Sequence, residues 1–289
     1  MHQVNYIQRF GTGNSFRVDI GAPQDKTPNY HELAKQLAQE IYDNKQGTLY
    51  IMYSGGADSE YVLNVFLELG LDVTPVIIQL NPGYNEHDVK YAFDFCQSKG
   101  LTPLVVDLDF NTFVTSGLIR DIGEEFKVAT YQLPTTFHVV GQLDGTVVMG
   151  SHSVPHITKK ANGWYLNEYE PIWTALEYFT AKGIHGCPFF LVQTPEMYYG
   201  LLNHPIMHDL ANDLIPGKLG NNSSKIQIFN SLSEYKYQIK QRPKYTGYEH
   251  IEECDIFQHE NMQWFNNVAM QWWGIHSEPY FPLIERLRK

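Results

Sequence analysis

The segment Leu49-Tyr50-Ile51-Met52-Tyr53-Ser54-Gly55-Gly56-Ala57-Asp58-Ser59-Glu60 carries more structural information than any other part of the chain. It opens as an apolar run, passes through a glycine pair and ends in an amphipathic stretch. That order reads as strand, tight loop, helix. A glycine loop feeding a helix N-terminus is an anion site, because the first amides of the helix lack partners and its dipole favours negative charge. Gly55 and Gly56 remove side chains where an anion must approach the backbone and permit positive φ. Ser54 and Ser59 bring hydroxyl donors. Asp58 beside a polyanion points to a hard cation such as magnesium, which takes carboxylate and phosphate oxygens together. No Gly-Lys-Ser or Gly-Lys-Thr follows the glycines, and the G-x-G-x-x-G spacing is absent, so neither a Walker A loop nor a dinucleotide fingerprint is present. The plainer reading is an ordinary strand-to-helix turn with Asp58 or Ser59 as its cap.

Outward from the loop, strand and helix patterns alternate. Val62, Leu63, Phe66, Leu67 and Leu69 recur at helical spacing up to Gly70, and residues 73–80 form a Val- and Ile-rich strand ending in the turn Asn81-Pro82-Gly83. A second amphipathic helix carries Val89, Ala92, Phe93 and Cys96. Residues 104–108 are a third strand, 111–143 are helical with a break near Pro134, and 146–149 are a fourth strand. This alternation predicts an α/β fold, a Rossmann-like, doubly wound parallel sheet with helices on both faces. In such sheets ligands lie beyond the carboxyl ends of the strands, which gathers the loops 54–59, 79–85, 107–111 and 150–153. Residues 1–48 read as an N-terminal extension with a helix over His31 to Tyr42, 49–185 as the nucleotide-binding domain, and 186–289 as a mainly helical substrate or assembly region. Within them, 156–168 suggest a hairpin turning at Asn162-Gly163. A helix covers Ile172 to Phe179, Thr194-Pro195-Glu196 starts another, and Met262 to Trp273 reads as the last clear one.

The loop Ser54-Gly55-Gly56-Ala57-Asp58-Ser59 is similar to the PP-loop of the ATP pyrophosphatases, which split ATP between its α and β phosphates. The resemblance is specific over these six residues and general over about residues 48–153. It implies ATP and Mg²⁺ as ligands, with Ser54, Asp58 and Ser59 serving the chemistry and Asp58 holding the metal. It also implies that Ile78, Gln79 and Leu80 present backbone groups to the adenine edge, and that Gly150, Ser151 and His152 lie near the phosphates. The activity it implies is adenylation of a substrate carbonyl or carboxylate oxygen with release of pyrophosphate, followed by attack of an amine-type nucleophile. Two alternatives share the loop: a sulfonucleotide reductase using a C-terminal cysteine, and a noncatalytic nucleotide-binding or assembly protein. Cys254 sits among Glu252, Glu253 and Asp255, which disfavours its thiolate, and no Cys-Gly-Leu-His or Cys-Gly-Ile-His ending is present. The cysteine-rich zinc site of the 7-cyano-7-deazaguanine synthases is absent too.

The 289 residues carry a net charge of −11, which argues against nonspecific nucleic-acid binding and asks for local positive charge at an ATP site. Lys159 and Lys160 follow the fourth strand closely and are the preferred sources. Arg120 is another, and each of the three has a plainer reading as a solvated surface charge. The run Lys236 to Lys244, with Lys240 and Arg242, reads first as a solvated face and second as a segment that closes over phosphates or touches a polyanionic substrate. Three scattered cysteines fit a reduced, cytoplasmic setting. No run suits a bilayer span and the N-terminus lacks a secretory pattern. The partner expected is a small molecule, with a homo-oligomer open. The pairs His152/His156 and His204/His208 have the spacing of metal ligands on a helix, but the first follows a strand and flanks Pro155, which argues against a helix, and the second lacks an evident third ligand.

Overall fold

Strand β3 (Thr48–Met52) lies at the centre of a five-stranded sheet whose neighbouring strands are all parallel. Across the sheet the order is β5 (Leu104–Asp109), β4 (Thr74–Asn81), β3, β6 (Gly145–Met149) and β9 (Gly186–Cys187). The computed structural model describes residues 7–10, 15–18, 29–150, 156–169, 171–207, 209, 222–240, 242, 248–272 and 275–288. The chain steps outward from β3 to β4 and β5, then returns to β6 on the other side of β3. The winding therefore reverses beside β3, the crevice position of a doubly wound sheet.

Both faces of the inner strands β3, β4 and β6 are covered, which is why these are largely apolar, while the edge strand β5 is more exposed and carries Asp107 and Asp109. The pleat sends successive side chains to opposite faces. Leu49, Ile51, Ile77 and Val148 enter one core with α1 (Tyr30–Asp43), α2 (Ala57–Glu68) and α8 (Pro195–Leu202). Met52, Val76, Val147 and Met149 enter a second core with α6 (Gln132–Val140) and α7 (Pro171–Lys182). A third core joins Leu80 and Leu108, near the strand ends, to α4 (Phe110–Thr115), α5 (Leu118–Glu125) and α11 (Glu260–Asn267). The crossover from β4 to β5 contains α3 (Glu86–Ser98).

The four expected strands and the parallel sheet are present. β9 was not expected, and at two residues it is too short to carry periodicity. Pro134 does not interrupt a helix. It lies in the first turn of α6, where a missing N–H costs little, and the breaks fall at 116–117 and 126–131. β7 (His156–Lys160) and β8 (Gly163–Tyr169) form the expected hairpin, with Lys160 facing Gly163, so the tip is Ala161-Asn162. Thr194 caps α8 by accepting from the Met197 amide at 3.2 Å.

The C-terminal third is more regular than its sequence suggests. After α9 (Asn222–Leu232), α10 (Tyr248–Glu252) and α11, strand β10 (Ile275–Pro279) pairs with β8, and α12 (Tyr280–Arg288) closes the chain. Tyr280 ties this end to α8 through a hydrogen bond to the Leu202 carbonyl at 2.8 Å. An N-terminal pair, β1 (Ile7–Phe10) and β2 (Ser15–Val18), is antiparallel. No described helix is long and apolar enough to cross a membrane.

Candidate functional site

The loop 54–59 connects the central strand β3 to α2 at the point where the winding reverses. Gly56 is the N-cap of α2 and no side chain caps it, so the plainer reading of Asp58 or Ser59 as a cap does not hold. In contrast, Asn29 caps α1, Asp109 caps α4 and Thr194 caps α8 through their side chains. An uncapped first turn leaves amides for an external anion. Gly55 has φ +79°, and a Cβ there would lie 3.0 Å from the Asp88 carbonyl oxygen and 3.1 Å from the Ala92 nitrogen. Glycine at 55 thus serves both the left-handed turn and the close approach of α3. Ser54 and Ser59 brace the loop: their hydroxyls lie 3.2 Å apart, and the Ser59 hydroxyl donates to the Gly56 carbonyl at 3.0 Å.

Gly150, at the end of β6, lies against this loop. A Cβ on it would meet Val62 at 2.7 Å and the Asp58 carbonyl oxygen at 3.3 Å. The structure therefore brings Ser54, Gly55, Gly56, Ala57, Asp58, Ser59 and Gly150 together. Ser151 and His152 lie outside the described residues, as do the side chain of Lys159 and His208 of the second histidine pair.

Lys160 has other partners. Its ammonium donates to the Ser277 hydroxyl at 2.9 Å and sits 4.5 Å from the Tyr165 ring centroid, within the sheet of β7, β8 and β10. Arg120 stacks on Trp264 at 5.6 Å. The positive charge at the loop comes instead from the segment 222–242. Lys225 donates to Asp58 Oδ2 at 2.8 Å. Arg242 donates from Nη1 to the Gly55 carbonyl and from Nη2 to Glu60 Oε2, with its guanidinium 5.3 Å over the Tyr91 ring. The solvated face expected for Arg242 is thus corrected. It is a loop-docking residue, and its planar fork suits two acceptors at once.

Every acid of α2 is engaged by this distant segment. Asp58 takes Lys225 and Glu60 takes Arg242. Glu68 accepts from Tyr237 at 2.6 Å and pairs with Lys236 at 3.4 Å and with His31 at 2.9 Å. Burial raises the Glu60 pKa while Arg242 opposes the rise. For Glu68, burial also pushes upward, but hydrogen bonds from Tyr237 and His31 prevail and hold it at about 2. Burial lowers the His31 pKa, so the ring tends to stay neutral between Tyr61 and Glu68. Between the anchors the backbone turns through three non-glycine residues with positive φ, Glu234, Tyr235 and Gln238.

Asp58 Oδ1 is buried and has no hydrogen-bond partner among the described residues. One orphaned carboxylate oxygen at a helix N-terminus fits a single protein ligand to magnesium, an ion whose other positions are commonly taken by phosphates and water. Among the described residues no group of three or more His, Cys, Asp and Glu side chains is placed to hold a metal.

One wall of the crevice is built by β4. Pairing of β3 with β4 ends at Met52 opposite Val76, and Tyr53 N donates to the Val76 carbonyl at 2.8 Å. By strand alternation Ile78 and Leu80 turn their backbone groups to this same side, past the end of β3. Gln79 turns its groups toward β5, opposite Asp107, so of the three residues expected at an adenine edge only Ile78 and Leu80 face the crevice. Their groups are held by Asn85: its amide donates to the Ile78 carbonyl at 2.8 Å and its carbonyl accepts from Leu80 N at 2.8 Å.

Lys225 and Asn85 were missed in the sequence, and so were the specific contacts of Arg242 with Gly55 and Glu60, although closure of its basic run over phosphates was a second reading. A basic run was visible at 236–244, but nothing local disclosed where it goes, and Lys225 is a solitary charge.

No family model and no curated relative matches the chain. Among solved structures it is similar to the U34-tRNA thiolase NcsA from Methanococcus maripaludis with its 4Fe-4S cluster. The identity is 13%, the match covers 89% of this chain and 80% of that one, and the TM-score is 0.35. At that level the likeness bears on neither substrate nor mechanism.

Proposed function

We propose that this chain is an ATP-dependent enzyme of the PP-loop type that adenylates a small-molecule oxygen. The single observation that carries the reading is the uncapped N-terminus of α2 behind Gly55-Gly56, on the central strand, with Lys225 and Arg242 converging on it. Free amides and two cations at one point are what a pyrophosphate group needs.

In this reading the β and γ phosphates lie over residues 54–59. The amides of the first turn and the hydroxyls of Ser54 and Ser59 donate to their oxygens. Gly150 lets the end of β6 lie close against the loop. Lys225 and Arg242 exchange a carboxylate or carbonyl partner for phosphate oxygens. Asp58 Oδ1 would hold magnesium, which when bound supplies charge to offset the leaving pyrophosphate. A carbonyl or carboxylate oxygen of the substrate attacks the α-phosphorus and the α–β bridging P–O bond breaks. Charge builds on the leaving pyrophosphate, where the loop donors already point. An amine-type nucleophile then attacks the adenylated carbon and AMP departs. No activated protein nucleophile is required. The sulfonucleotide alternative requires a reactive Cys254, whose thiol instead donates to the His250 carbonyl at 3.0 Å.

The test is thermal stability with ATP, with pyrophosphate and with 3′-phosphoadenylyl sulfate, each with and without Mg²⁺. Stabilisation by ATP and pyrophosphate that needs Mg²⁺ and is lost in Asp58→Ala is expected. A preference for the sulfated nucleotide, or no shift with any of them, would overturn the reading.

A further inference from the structure

Asn85 is the N-cap residue of α3, and asparagine is among the best capping side chains, yet it makes no cap hydrogen bond. Its carboxamide turns back 5 and 7 residues to the edge of β4 left unpaired beyond the end of β3. There it donates to one backbone carbonyl and accepts from one backbone amide, both at 2.8 Å, on the strand that flanks the glycine loop. The turn between them does not depend on this side chain alone. Gly83 N and Tyr84 N both donate to the Leu80 carbonyl, at 2.8 and 2.9 Å. The side chain thus gives up a cap to fill two strand-edge positions.

A carboxamide in this orientation presents one donor beside one acceptor. Adenine presents the same pair on its Watson–Crick edge, with the N6 amino group as donor and N1 as acceptor. Guanine presents the reverse, with O6 as acceptor and N1–H as donor. We propose that Asn85 is a built-in occupant of the nucleobase subsite, an intramolecular stand-in for the adenine edge that a nucleotide must displace. The inference rests on the ATP reading and deepens it by naming the residue that gates base entry and sets the base preference. With Asn85 in place, Ile78 and Leu80 are satisfied in the empty protein and no polar group is left bare. On binding, adenine inherits both hydrogen bonds and Asn85 is released to the cap of α3, so little hydrogen bonding is lost in the exchange. The apparent affinity for ATP is lowered by the fraction of molecules in which Asn85 occupies the edge. A base with the guanine pattern cannot complete the exchange.

The experiment compares wild type with Asn85→Ala and Asn85→Ser. The serine variant keeps an N-cap side chain for α3 but is too short to span both backbone groups. Dissociation constants are measured for ATP, GTP and pyrophosphate with Mg²⁺. Both variants are expected to bind ATP roughly five- to thirtyfold more tightly, the scale of two hydrogen bonds no longer in competition. Pyrophosphate, which lacks a base, stays within about twofold. GTP gains nothing. ATP binding that weakens or stays unchanged in both variants would overturn the proposal. So would an equal gain for ATP and GTP, or a gain for pyrophosphate. Failure of wild type to bind pyrophosphate and ATP at all would defeat the ATP reading, and this proposal with it.

Discussion

The loop 54–60 and the segment 222–242 meet at one site but are encoded in opposite ways. The loop is local: strand, glycines, hydroxyls, carboxylate and helix start follow one another, and their chemistry is contained in neighbouring residues. The segment is distant and has no motif. It supplies Lys225, Lys236, Tyr237 and Arg242, and each meets an acid of α2 from 167 to 182 residues away. In the proposed reading the first region builds an anion cradle and the second supplies cations to it. A loop motif therefore identifies half of such a site, and the counter-charge has to be found by tertiary structure.

The largest expected effect falls on the local half. Gly55→Val places a branched side chain at φ +79° and against the backbone of Asp88 and Ala92. Pyrophosphate affinity should fall by roughly a hundredfold or more, since left-handed backbone and close approach are lost together. Retained affinity would show that the turn is not what holds the anion.

Next comes the distant half. Arg242→Ala leaves the buried Glu60 carboxylate without its cation, and a broken pair of this kind costs about 3 kcal/mol of stability, measurable by urea unfolding. Adding Glu60→Gln should recover much of that loss, because the stranded charge is then gone. No recovery would locate the role of Arg242 at the Gly55 carbonyl instead.

A smaller effect is expected from acid. Glu68 is held at about 2 in the folded protein against an ordinary 4.5. A depressed carboxylate contributes stability that is fully present above 4.5 and is lost as pH falls from 4.5 toward 2. With solvent screening, wild type should lose roughly 1–2 kcal/mol from this group across that window. Glu68→Gln should lack that component, and identical pH profiles would contradict the assignment. The smallest effect belongs to Lys160→Ala, whose ammonium is engaged by Ser277 and Tyr165. Pyrophosphate affinity should stay within about twofold, as for a surface charge remote from the anion.

What was legible follows the same division. Leu49 to Glu60 disclosed strand, loop and helix because an apolar run, a glycine pair and the start of an amphipathic stretch follow one another there. The strands 73–80, 104–108 and 146–149 were legible as short runs rich in Val, Ile and Leu between turn signals, the pattern of strands in a largely buried parallel sheet. β9 was not, because two residues have no period. β10 was not, because Ile275-His276-Ser277-Glu278-Pro279 is held by pairing with β8 rather than by its own pattern. Asn85 had no reading of its own beyond closing the loop 79–85, and only the free edge left where β3 ends explains where its carboxamide points. Arg242 looked solvated because Glu60, its partner, lies far away in the chain and is itself buried only after folding.

Hydrogen exchange of the whole chain, with and without pyrophosphate and Mg²⁺, tests most directly the claim that the two regions form one anion site. The account predicts increased protection at the amides of residues 55–60 together with a change in segment 222–242 as Lys225 and Arg242 shift partners. An unchanged loop, or protection of the loop with segment 222–242 unaltered, would contradict it.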